Sequence, residues 1–157
     1  MGTRSLTRII QKWEDKNGNE KRRPICCMYR QYDGYMSGHG QDLADFLKPF
    51  TLTNGIGLSV KTADGKLSPI ANGMDCLAAQ MIAHFKDGAG GIYLQHPDTE
   101  DVWEEYIYEI EEGKGGKFIV TVHDTYEKEI IFQGSVRALI NKIKKLQEAE
   151  KNNLIKY

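Results

Sequence analysis

The residues best equipped for chemistry lie together in Cys27-Met28-Tyr29-Arg30-Gln31-Tyr32-Asp33-Gly34-Tyr35-Met36-Ser37-Gly38-His39-Gly40. The planar guanidinium of Arg30 matches a phosphate or carboxylate in two-pronged fashion. Tyr29, Tyr32 and Tyr35 offer flat faces for a base or ring, and hydroxyls for hydrogen bonds. Gln31 and Asp33 suit the hydroxyl and amide edges of a ligand. His39 could serve as acid, base or nucleophile, with Asp33 as its orienting partner and Arg30 as charge stabiliser. The same residues also admit a plain structural reading: Asp33-Gly34 is an ordinary turn, Gly38-His39-Gly40 a connection, and tyrosines at a strand end often finish a core.

Two periodicities position this stretch. Residues 24–32 alternate as a strand, with Ile25, Cys27 and Tyr29 on one face and Cys26, Met28 and Arg30 on the other. Alternation stops at Gln31-Tyr32-Asp33, and Gln41-Asp42 open a short helical pattern, 41–48, that ends near Pro49. Strand, glycine-rich loop and helix in that order aim backbone N–H groups and a helix N-terminus at the loop, an arrangement suited to an anion. Ahead of it, Thr3 to Lys12 reads as a first strand, and Asn17-Gly18 is the strongest hairpin signal in the chain. Such a hairpin sets the start of strand one beside the end of strand two. Arg4 and Ser5 therefore join Arg30 and Tyr32 as candidate ligand-binding residues, alongside Tyr29, Gln31, Asp33, Tyr35 and His39.

The opening Met1-Gly2-Thr3-Arg4-Ser5-Leu6-Thr7, together with Cys27 through Tyr35 and Gly38-His39-Gly40, resembles a group of small uncharacterised proteins found in bacteriophages and bacterial genomes. The likeness covers roughly the first third of the chain. It implies an association with phages and carries no catalytic assignment; residues 11–23 look like a lengthened hairpin relative to that pattern.

Beyond the loop, residues 51–71 are punctuated by Asn54-Gly55, Gly57, Asp64-Gly65 and Pro69, a long connection of the kind that closes over sites. Leu58-Ser59-Val60 within it suits a short strand. A helix over 72–87 is expected, with Asn72 as N-cap and Met74, Leu77, Ala78, Met81, Ile82 and Phe85 on its apolar side. A short strand over 92–95 and a meander of strands over 102–111, 117–124 and 129–133 follow, with His123 placed to face Glu105 or Glu109. A last helix over 135–150 carries Val136, Leu139, Ile140, Ile143 and Leu146 as its apolar stripe, with Arg137, Lys142, Lys144 and Lys145 reading as its solvated face. A frayed tail closes the chain at 151–157.

The fold class is therefore α+β: an antiparallel sheet of about five to seven strands, made of an N-terminal hairpin and a C-terminal meander, with two main helices packed mainly on one face and a short helix near the site. At 157 residues the chain suits one domain.

Composition narrows the function. No apolar run approaches ~18 residues, so no membrane partner is expected, and no apolar stretch follows Arg4 and Arg8 as a secretory leader requires. Cys26, Cys27 and Cys76 form no CxxC pair, which argues against zinc and fits a reducing cytoplasm, of a bacterium or of an infected host cell. Neither GxxxxGK[ST] nor GxGxxG occurs, and no cofactor is called for. The net charge of −1 creates no whole-protein attraction to nucleic acid. Charge is uneven, however: residues 98–112 hold eight acids and no Lys or Arg. The function expected first is binding of an anionic small molecule such as a nucleotide, in a phage setting the sequestration of a host immune signal. The alternatives are a hydrolase or phosphodiesterase-like enzyme using His39 and Asp33, and an inhibitor that docks on a host factor through the acidic 98–112 face. An exposed sheet edge leaves homo-oligomerisation open.

Overall fold

The computed structural model describes residues 2–54 and 69–155. Leu58-Ser59-Val60 and most of the connection expected to close over the site lie outside those residues. The architecture is α+β: a six-stranded mixed sheet, a small two-stranded sheet and three helices.

β1 (Ser5–Glu14) and β2 (Glu20–Arg30) form the hairpin. Its turn is closed by Asp15, whose carboxylate accepts from the backbone N–H of Asn17 and of Asn19, both at 2.9 Å. Gly18 turns the chain at φ +78°, a conformation that glycine adopts without cost. The register places Ser5 opposite Arg30 and Thr7 opposite Met28. β2 then breaks, and a single π-helical turn, Met36–Gly40, runs into α1 (Gln41–Leu47). The Gly38-His39-Gly40 segment is thus helical rather than an open loop. β3 (Thr51–Thr53) and β4 (Ile70–Asn72) pair in parallel as the small sheet.

α2 (Met74–Phe85) starts after Gly73, which sits at φ +86°. Asn72 belongs to β4 and is not the N-cap. β5 (Ile92–Gln95) pairs with β2 at one edge of the large sheet. β6 (Tyr106–Glu112), β7 (Phe118–Asp124) and β8 (Glu129–Ser135) form the meander. Residues 102–105, expected to begin its first strand, form a turn instead. The Glu104 carboxylate accepts from the Asp101 and Val102 N–H groups there, and Asp101 and Trp103 both adopt positive φ. α3 (Val136–Ile155) continues past Glu150, where no Gly or Pro stops it.

The sheet order is β5-β2-β1-β6-β7-β8. Within this sheet every pairing is antiparallel but one: β6 runs parallel to β1. The reason is the crossover from β5, which leaves one edge, passes β2 and β1, and enters on the far side of β1 in its direction. That crossover lies over the face opposite the helices, where Arg8 Nη2 donates to the Thr99 carbonyl at 2.9 Å. The core fills the other face. Ile9, Met28, Tyr108, Ile110, Val120 and Val122 meet Leu43 and Leu47 of α1, Leu77 and Met81 of α2, and Leu139 and Ile143 of α3. Among the described residues, no helix is long and apolar enough to cross a membrane.

Candidate functional site

Hairpin register brings the two motifs of the N-terminal third together. The Gly34 N–H donates to the Thr3 carbonyl at 2.9 Å. A Cβ at Gly34 would lie 2.9 Å from both the Arg4 carbonyl carbon and Ser5 Cβ, so only glycine lets the turn lie this close to β1. Beneath the turn, Tyr108 Oη donates to the Gly34 carbonyl at 2.7 Å.

His39 stands at the centre and is fully buried. Arg30 Nη1 lies 2.9 Å from its Nδ1, and Thr7 Oγ1 lies 2.7 Å from its Nε2. A guanidinium can only donate, so Nδ1 accepts and the proton sits on Nε2, which donates to Thr7. The ring meets Tyr108 edge-on at 5.0 Å and Phe85 at 5.4 Å. Burial, and secondarily the Arg30 charge, push its pKa down to about 3, so the imidazole is neutral at physiological pH. Arg30 Nη1 also donates to Asp42 Oδ2 at 2.9 Å, in a pair whose carboxylate is half exposed and contributes little by itself.

The expected site residues therefore separate. Arg30, His39 and the buried Ser5 lie inside, and Ser5 Oγ has no hydrogen-bond partner among the described residues. Tyr32, Asp33 and Tyr35 are exposed at the rim. Tyr29, one residue from Arg30 on the same strand, points to the opposite face of the sheet and packs against Tyr93 at 6.0 Å. Gln31 donates its N–H to the Gly91 carbonyl, and the Arg4 carbonyl accepts from the Glu105 N–H, both at 2.9 Å. Asp33 holds His39 through its backbone carbonyl, which accepts the His39 N–H at 2.7 Å. Its side chain faces the Tyr35 hydroxyl instead, at 3.4 Å. The amides expected to greet an anion are occupied: the Gly38 and Gly40 N–H groups both donate to the Tyr35 carbonyl. Proton transfer at His39 meets a sealed ring with both nitrogens engaged.

Part of the acidic stretch is paired within the chain. Glu109 lies 2.6 Å from His123 Nε2, and Glu111 lies 3.5 Å from Arg22 and 3.9 Å from Lys12.

A different feature has the character of a ligand site. A cleft of about 690 Å³ opens between the end of α1, the start of β7 and the first turns of α3. Leu47, Phe50, Phe118, Val136 and Ile140 line it as apolar wall; Lys48, Lys117, Arg137 and Lys144 bring cationic groups, Ser135 and Asn141 neutral polar ones, and among the described residues no carboxylate lines it. The volume is in the range of small-molecule pockets. None of the nine expected binding residues contributes to it. One signal for it exists in the chain: Arg137, Ile140, Asn141 and Lys144 follow i, i+3, i+4, i+7 spacing and so share a helix stripe beside the core stripe. That stripe reads as solvated until β7 and α1 are placed against it.

Comparison with protein-family models, with curated proteins and with solved structures yields no match.

Proposed function

We infer that this chain is a binding protein for a small anionic molecule with an apolar or aromatic body, a nucleotide being the natural example. The single observation that supports this is the cleft: four cationic residues line it beside an apolar wall, with no carboxylate among its described lining residues. Like charges gathered this way repel one another, and an anion relieves that repulsion. Phe50 and Phe118 supply faces for a ring, and the cations supply the partners for its charged group. In this reading the Arg30–His39 cluster holds the fold that shapes the cleft and does not touch the ligand. If the likeness of the N-terminal motifs to phage proteins has a functional meaning, such binding amounts to sequestering a nucleotide signal.

The test is titration calorimetry with ATP, comparing the wild type with Lys117→Gln/Arg137→Gln/Lys144→Gln and with Tyr32→Ala. The expected result is binding that the triple variant weakens by about tenfold or more, at ~1.4 kcal/mol per decade, and that Tyr32→Ala leaves unchanged. Equal binding by the triple variant, or loss with Tyr32→Ala, returns the site to the N-terminal loop. No heat with ATP or with a mixture of nucleoside mono- and dinucleotides removes nucleotides as the ligand.

A further inference from the structure

The hairpin extends beyond the sheet that anchors it. β6 accompanies β1 only from Ser5 to Ile9, and β5 accompanies β2 only from Cys27 to Arg30. The ladder is irregular at Ile9/Ile10, where Ile25 has no opposite residue, as in a bulge that bends a ribbon out of its sheet. Past that point the two strands continue as an arm with two faces of different chemistry. Directly opposed residues share a face. Lys12, Arg22, Glu14 and Glu20 form one, and Lys12 and Arg22 tie it to Glu111 of β6.

Gln11, Trp13, Lys21 and Arg23 form the other. No carboxylate stands on the strands of that face; Asp15, in the turn, reaches Lys21 at 3.9 Å. Trp13 is 42% exposed. Arg23 lies over its ring, 5.1 Å from the centroid, and is steadied by Gln11 Oε1 at 3.4 Å. The indole stays partly open to solvent, with Arg23 over its ring and Lys21 directly opposite it on the partner strand.

We propose that this face of the arm binds single-stranded nucleic acid. An indole is a platform on which any base stacks; here the base takes the place of the Arg23 guanidinium over the ring, and Arg23 and Lys21 meet the phosphates beside it. A strand with splayed bases supplies both ring and charge; a duplex hides its base faces, and an acidic peptide need not carry a ring to match the indole. Net charge, a property of the whole chain, is silent about so local an arrangement. The inference is independent of the cleft.

The experiment uses the full chain in a Trp103→Phe background, so that Trp13 is the only tryptophan. Trp13 emission is followed as oligothymidylate or oligouridylate of fifteen nucleotides is added, with heparin as a polyanion lacking bases. The expected result is quenching by both oligonucleotides and none by heparin. Affinity should fall about sevenfold between 50 and 200 mM salt, as two neutralised phosphates require. In fluorescence anisotropy of labelled oligonucleotide, Trp13→Ala should weaken binding by about fivefold or more and Trp13→Phe by less, because the phenyl ring still stacks. Lys21→Gln/Arg23→Gln should abolish most of the salt dependence. Absence of oligonucleotide binding, or binding that Trp13→Ala leaves intact, overturns the proposal. Equal quenching by heparin overturns the base-stacking part of it and leaves a polyanion site.

Discussion

Replacing His39 by Gln should flatten the acid dependence of stability. In the unfolded chain an imidazole takes up a proton near pH 6.5; in the folded protein His39 declines it until about pH 3. Between those values the unfolded state holds more protons, so stability falls as pH falls, and above about pH 6.5 the contribution is complete. At pH 5 the difference amounts to about 2 kcal/mol relative to pH 8. Gln offers an oxygen for Arg30 and an amide N–H for Thr7, and it does not titrate. Urea unfolding at pH 8 and pH 5, followed by circular dichroism, reads the effect directly. With a slope of roughly 2 kcal/mol per molar urea, the wild-type midpoint should drop by about 1 M more than that of His39→Gln. Every other titrating group is common to both proteins and cancels in the comparison. Equal midpoint shifts would refute the reasoning, because they would mean that His39 takes up its proton as readily in the fold as in water. The Gln variant is also expected to be less stable at pH 8, since the ring contacts with Tyr108 and Phe85 are lost, but that offset does not enter the slope.

Tyr108→Phe removes the donor to the Gly34 carbonyl and should cost ~1–2 kcal/mol, a fall of about 4 °C in Tm by calorimetry for a chain of this length; an unchanged Tm contradicts the pinning of the turn from below. Burial raises the pKa of the Cys26 thiol and pushes that of Cys27 up to about 11, whereas Cys76 is partly exposed. Iodoacetamide at pH 8 should therefore label Cys76 first, with Cys26 and Cys27 reacting only in denaturant, as read by peptide mass spectrometry; native labelling of Cys27 at the rate of Cys76 contradicts the packing of β2.

Local chemistry made much of this fold legible. Asn17-Gly18 demands a hairpin turn, and alternation on either side sets the strands; together they place Ser5 beside Arg30 in the observed register. The apolar spacing of Met74 through Phe85 and of Val136 through Leu146 marks both long helices, and Ile92–Gln95 appears as the short strand expected. These features depend on a residue and its near neighbours, so periodicity and turn chemistry reveal them. Other features depend on partners far along the chain. Thr7 and His39 are separated by 32 residues, and only their meeting shows that the imidazole is a buried, neutral strut. The parallel placement of β6 follows from a crossover whose path no local pattern encodes. The cationic cleft draws its wall from α1, β7 and α3, three segments that each read as ordinary surface or core in isolation. Period and propensity are properties of a segment and can be read from it. Protonation, accessibility and the convergence of charge are properties of an environment, and they exist only once the segments have been packed.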